Sequence, residues 1–204
     1  MKVANYAIGA VAVAAVGIGA MFLAGRGDSD DPFARCRGGA VAGSIGGPFT
    51  LVSETGATVT DKDVINGPTL IYFGYTFCPD ICPLDSVRNA DASEILAQRG
   101  HDVTPVFISV DPKRDTPEAM DDFTANIDDR MLGLTGSPEQ IKAAAAAYKV
   151  YYRAHDDEDD EFYTVDHSAF TYLVLPETGF ADFFGREVTA EEMADRVACF
   201  LDAA

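Results

Sequence analysis

From Val3 to Gly25 the chain carries no charged residue and consists mostly of Ala, Val, Ile, Gly, Leu and Met. At about 1.5 Å of rise per residue, a helix of this length crosses a hydrocarbon core of about 30 Å. Residues 1–25 are therefore expected to form an uncleaved transmembrane signal-anchor. The alternative is a cleaved signal peptide, whose apolar stretch is ordinarily about 7–15 residues and ends in small residues. Phe22-Leu23-Ala24-Gly25 is a poor cleavage signal, and no cysteine directly follows it as in a lipoprotein. Residues 26–46 are rich in Gly, Asp, Ala and Ser and read as a tether, with the folded domain at 47–204.

Within that domain the pattern becomes regular. Phe49–Val52 and Thr58–Val59 predict a hairpin turning at Glu54-Thr55-Gly56. Thr69–Phe73 is a continuous apolar run, the mark of a strand buried on both faces, and Val103–Val110 reads as a second buried strand. Residues 84–99 have helical character and stop at Gly100. Thr116-Pro117-Glu118 caps another helix, with proline in its first turn. Met131–Leu134 predicts a short strand. Ser137-Pro138-Glu139-Gln140 and Thr189-Ala190-Glu191-Glu192 are capping boxes, opening helices to Tyr148 and Leu201. Val150–Arg153, Ala169–Leu175 and Phe180–Phe184 read as strands, the last two as a hairpin. Strands alternating with helices, closed by a hairpin and a helix, predict an α/β thioredoxin-like sandwich with a mixed central sheet.

Charge narrows the function. The formal net charge is -18, from 15 Lys+Arg against 33 Asp+Glu, and residues 1–27 hold no acid at all. A surface this acidic repels phosphate backbones, so no nucleic-acid partner is expected. Four cysteines are too few for a disulfide-built miniprotein, which turns attention to where they stand.

Cys78 and Cys82 lie in Gly74-Tyr75-Thr76-Phe77-Cys78-Pro79-Asp80-Ile81-Cys82-Pro83, between a buried strand and a helix. Such a turn places side chains at the helix amino end, where partial positive charge favours thiolates. Three intervening residues put both sulfurs on one face if the turn is already helical. The pair suits a soft ion such as Cu(I), or closure as a disulfide; two buried structural cysteines are the bland alternative.

Here the chain resembles the Sco/SenC family of membrane-anchored, copper-binding thioredoxin-like proteins. The resemblance covers about residues 47–202 and the anchor. It rests on the cysteine segment, on Ser109-Val110-Asp111-Pro112-Lys113-Arg114-Asp115-Thr116-Pro117-Glu118, and on Val165-Asp166-His167-Ser168 just before a strand. It implies that Cys78, Cys82 and His167 are copper ligands, with copper held as Cu(I), Cu(II) or both. The residues alone say less of His167: a lone histidine before a strand is more often a surface residue than a ligand. His101 at a helix end and His155 at the start of the acidic run read as solvated. Asp166 is a candidate for orienting the His167 ring. Ser168 stands where thioredoxin-type disulfide oxidoreductases carry a cis-proline, which favours a metal site over general disulfide exchange.

The resemblance implies a copper chaperone that delivers copper to the dinuclear copper site of cytochrome c oxidase. Its partners would be the oxidase copper-site subunit and an upstream copper donor. Two alternatives remain: a thiol–disulfide reductase, with Cys78 and Cys82 as its redox-active pair, that keeps the oxidase cysteines reduced, or a copper or redox sensor. The expected location is a bacterial inner membrane, spanned once by residues 3–25, with the soluble domain in the periplasm. Cys36 and Cys199 are expected to pair as a disulfide, since an exposed thiol is a liability in an oxidising compartment; two unrelated thiols are the alternative. The six acids Asp156 to Glu161 read first as a solvated loop, then as a docking patch for a basic partner or a hard-cation site. Asp111–Pro117 reads as a turn and helix cap that shapes the site without supplying ligands.

Overall fold

The computed structural model describes residues 31–39, 44–156 and 162–204. The expected anchor, residues 26–30 and 40–43 of the tether, and residues 157–161 of the acidic run lie outside the described residues. Among the described residues no helix is long and apolar enough to cross a membrane. Arg35–Ala204 forms one compact unit, which holds the sheet and its helices.

The centre of that unit is β3 (Thr69–Gly74), six residues that are all buried. Both faces of this strand are covered, which is why its sequence is apolar without alternation. β3 runs parallel to β4 (Thr104–Ser109), with Tyr72 opposite Phe107 and Gly74 opposite Ser109. β4 runs parallel to β5 (Leu132–Thr135). Parallel neighbours require helical crossovers. α2 (Ile81–Gln98) supplies the first and α3 (Pro117–Ala125) the second, while the short α1 (Asp61–Val64) precedes β3.

Antiparallel strands complete the sheet on both sides. β1 (Thr50–Ser53) pairs with β5 and with β2 (Thr58–Thr60), the predicted hairpin. Gly56 takes its turn at φ 79°, a conformation only glycine adopts cheaply. β8 (Thr171–Leu175) pairs with β3 and with β9 (Gly179–Phe184). The seven strands run in the order β2-β1-β5-β4-β3-β8-β9, the mixed sheet expected of the thioredoxin-like order. α4 (Pro138–Ala147) and α5 (Ala190–Ala203) start at the predicted capping boxes, with Ser137 and Thr189 accepting from the amides of Gln140 and Glu192. α5 packs against α2.

Two features depart from the sequence reading. α2 begins at Ile81 rather than 84, so Cys82 sits in its first turn. Pro83 is no obstacle there, because first-turn amides have no intrahelical partner to lose. Second, β6 (Tyr152–Ala154) does not join the main sheet. It pairs with the three-residue β7 (Val165–His167), Tyr152 opposite His167, in a separate two-stranded sheet.

Cys36 and Cys199 are joined by a disulfide across a sequence separation of 163 residues. The chain beside Cys36 is bonded to the domain as well. The Arg37 side chain donates to the Ala181 carbonyl at 3.4 Å, and Gly38 N–H donates to Asp182 at 3.2 Å. Asp182 is buried and also takes the Arg196 guanidinium. Further along, Gly46 N–H donates to the Ala147 carbonyl at 2.9 Å.

Candidate metal centre

β3 ends at Gly74 and the chain turns into α2 through Tyr75–Asp80. Cys78 N–H donates to the Tyr75 carbonyl at 3.3 Å, which folds the loop back on itself. The helix then points an amide at the first sulfur, since Cys82 N–H donates to Cys78 Sγ at 3.4 Å. Gly74 makes room for the second sulfur. A β-carbon there would stand 3.0 Å from Cys82 Sγ and 2.9 Å from both the Tyr72 and Phe107 rings.

β7 brings in the imidazole. Ser168 N–H donates to the Tyr151 carbonyl and Tyr151 N–H donates to the Ser168 hydroxyl, fixing the end of the small sheet. His167 Nε2 then lies 3.3 Å from Cys82 Sγ, across 85 residues of sequence. Its Nδ1 is 3.2 Å from the Ser168 carbonyl. A carbonyl only accepts, so Nδ1 is the donor in that contact and Nε2 is the nitrogen turned to the sulfur. The rings of Tyr72 and Tyr75 stand edge-on to the imidazole at 6.1 and 5.9 Å between centroids.

The two thiols are free and unequal. Cys78 is 8% exposed and Cys82 fully buried. Hydrogen bonds from Cys82, His167 and the backbone hold the Cys78 thiol well below the ordinary range. The bond to Cys78 and burial push Cys82 above it. Of the two, Cys78 is therefore the sulfur that ionises first, and Cys82 the one that holds its proton longer. Burial, helped by Cys82 and Asp85, also keeps the Tyr72 phenol neutral; it donates to Asp85 Oδ2 at 3.0 Å. Asp85 is in turn 3.4 Å from both Arg88 and Arg186.

The loop after β4 closes over the cysteine segment. Asp115 is 1% exposed. It accepts from Thr76 N–H at 3.2 Å, from the Thr76 hydroxyl at 2.6 Å and from the Ser109 hydroxyl at 2.6 Å. Asp111 accepts from Tyr163 and from Arg114, each at 2.6 Å. The Arg114 guanidinium lies 3.6 Å over the Tyr163 ring and 4.7 Å from the Phe77 ring.

Cys78, Cys82 and His167 therefore meet at one end of the sheet, at hydrogen-bonding rather than metal–ligand separations. Among the described residues no three His, Cys, Asp or Glu are already set around an ion. Two thiols and an imidazole nonetheless suit a soft ion in a low coordination number. The expectation that Asp166 orients His167 is corrected: Asp166 points away and takes His155 at 2.8 Å, because alternate residues of β7 face opposite ways. His101 lies 3.5 Å from Asp202. Of the acidic run, Asp156 is 3.7 Å from Lys113, and residues 157–161 lie outside the described residues. Gly74, Thr76, Ser109 and Asp115 join the site from the two segments that carry the resemblance, with no individual role assigned to them by the sequence. The one signal for Asp115 is a second aspartate closing a charged turn right before a helix cap.

The SCO1/SenC family model matches residues 38–202. Protein SenC of Rhodobacter capsulatus is 55% identical over 204 residues, covering 99% of this chain and 91% of that one. Mitochondrial SCO1 homologues of Arabidopsis thaliana and Homo sapiens are longer, and the chain spans 46% and 52% of them. Among solved structures, Arabidopsis thaliana ScoI with copper bound superposes with a TM-score of 0.75 at 41% identity, covering 79% of this chain and all of that one. BsSco, described as a member of the Sco family of cytochrome c oxidase assembly proteins with a disulfide switch, gives 0.62 at 27% identity, covering 78% and 93%.

Proposed function

This chain belongs to the SCO1/SenC family, and on that premise we propose that it is a copper chaperone for cytochrome c oxidase assembly. Copper is the cargo, held by Cys78, Cys82 and His167 and passed to the dinuclear copper site of the oxidase. The observation that carries this reading is the 3.3 Å approach of His167 Nε2 to Cys82 Sγ. The approach is made through a dedicated two-stranded sheet, which turns Nε2 toward the sulfur. Two thiols that can ionise and an imidazole are a soft donor set. Transfer proceeds by ligand exchange, an incoming thiolate displacing the less buried Cys78 first. Exposed Phe77 and Leu84 lie beside the two cysteines in sequence, and exposed Phe170 lies near His167. Apolar surface there suits a protein recipient.

The proposed setting is the periplasmic face of a bacterial inner membrane, with residues 3–25 as the anchor. The Cys36–Cys199 disulfide supports an oxidising compartment. Titration of the reduced full-length protein with copper, followed by absorption and EPR spectra, tests the reading. We expect one ion per chain, and loss of binding in Cys78→Ser and His167→Ala. Stoichiometric binding that ignores both substitutions would refute it.

One observation favours a second reading, a thiol–disulfide reductase acting on the oxidase cysteines. Cys78 is the less buried sulfur and the one that ionises first, the arrangement of an attacking residue with Cys82 behind it to resolve. His167→Ala separates the two. A chaperone loses copper transfer but keeps any disulfide reduction, whereas a reductase keeps its activity and loses it only with Cys78→Ser.

A further inference from the structure

The loop between β4 and α3 contributes no ligand, yet a buried carboxylate in it reaches the cysteine segment. We infer that Asp115 is the positioning residue of the copper site, holding the Tyr75–Asp80 loop in its ligand-presenting form through Thr76. Its role toward copper rests on the proposed chaperone function; its role toward the loop does not.

Three observations carry the inference. Asp115 is 1% exposed, and every side-chain partner it has in the site is a donor. A buried carboxylate is retained only where its acceptor sites are filled. Its partners join two elements: Ser109 is the last residue of β4, and Thr76 lies two residues before Cys78. The loop's amide at 76 has no strand or helix partner and finds Asp115 instead.

The aspartate is itself held from behind. Asp115 N–H donates to the Asp111 carbonyl at 3.0 Å, and the Asp115 carbonyl accepts from the Thr135 hydroxyl of β5 at 2.6 Å. Ser109 Oγ also accepts from Asp111 N–H at 2.9 Å. The carboxylate is therefore tied to β4 and β5, the rigid centre of the sheet, and transmits that position to an irregular loop. Charged hydrogen bonds of this kind are roughly twice as strong as neutral ones. Without them the loop leans on weaker ties, such as the Cys78–Tyr75 turn bond and the Cys82 N–H···Sγ contact.

The test uses full-length protein in nanodiscs and reads amide exchange together with copper affinity. In Asp115→Ala, exchange across residues 76–80 should rise about tenfold or more, the loss expected for one or two charged hydrogen bonds, while β4 and β8 keep their protection. Copper should bind about tenfold more weakly, with altered thiolate-to-copper absorption. Thr76→Val should reproduce a smaller form of both effects, and Thr76→Ser should behave as wild type. Thr76→Val also decides the matter if Asp115→Ala does not fold. Unchanged exchange at 76–80, or loss of protection spread evenly through the sheet, would overturn the inference. So would wild-type copper affinity in a loosened loop. If the wild-type protein takes up no copper, the chaperone reading fails, and the exchange pattern alone then decides the role of Asp115.

Discussion

Single atoms decide the chemistry of the cysteine pair. A methyl group at residue 74 would contact Cys82 Sγ and two aromatic rings at or below 3.0 Å, with strands on either side preventing retreat. Gly74→Ala is therefore expected to cost about 1–3 kcal/mol, as overpacking does, and to displace Cys82. Urea unfolding and alkylation of the pair check both effects. The inequality of the sulfurs gives a pH signature. An ordinary thiol loses reactivity as pH falls through about 8.5. Cys78 lies well below that value, because Cys82 and His167 bond to its thiolate. Its alkylation rate should stay flat as pH falls from about 8 to about 6. Cys82, raised and buried, should not react over that range. In His167→Ala the Cys78 profile should shift upward, since one of the bonds that stabilise the thiolate is gone.

At the scale of elements, sequence and structure agree where the signal is local. Ser137 and Thr189 open helices because a hydroxyl three residues from a free amide caps it whatever lies around. Ser137→Ala is expected to lower stability by about 1 kcal/mol, seen in the thermal midpoint. Asp80 caps α2 only by position, with no side-chain bond, so Asp80→Ala should cost well under 1 kcal/mol. The start of α2 is hard to place from sequence because Pro83 looks like a barrier, though in a first turn it is not. β7 is not legible. Three residues carry no period, and their partner strand lies beyond the acidic run. From the residues alone His167 looks like a surface histidine, and what makes it part of the site is a pairing between Tyr152 and His167 that no local pattern encodes. The direction of Asp166 is hidden for the same reason. Thr76, Ser109 and Asp115 are ordinary turn and cap residues in sequence, and only the parallel pairing of β3 with β4 sets them side by side.

Across the whole molecule, one covalent bond joins residues near the two ends of the folded unit. In the chain-entropy account, closing a loop of this length restrains the unfolded state by roughly 5 kcal/mol, and removal of native disulfides usually costs about 2–5 kcal/mol. Cys36→Ser with Cys199→Ser is expected to fall in that range by denaturant unfolding, with the Cys78, Cys82 and His167 cluster left intact at moderate temperature. The polar contacts of Arg37 and Gly38 to Ala181 and Asp182 would then still tie that segment to the domain. The protein thus carries two sulfur pairs in opposite oxidation states, one crosslinked and one bare, within a single chain. Its maturation has to be selective. An oxidant that stitches the termini must leave the other couple alone, which the seclusion of residue 82 helps to secure. For the bench the corollary is practical: a reductant harsh enough to strip everything frees the ligands and cuts the brace in the same step. A gentle thiol, followed by counting of liberated sulfhydryls, is the preparation that keeps both pairs in their working forms.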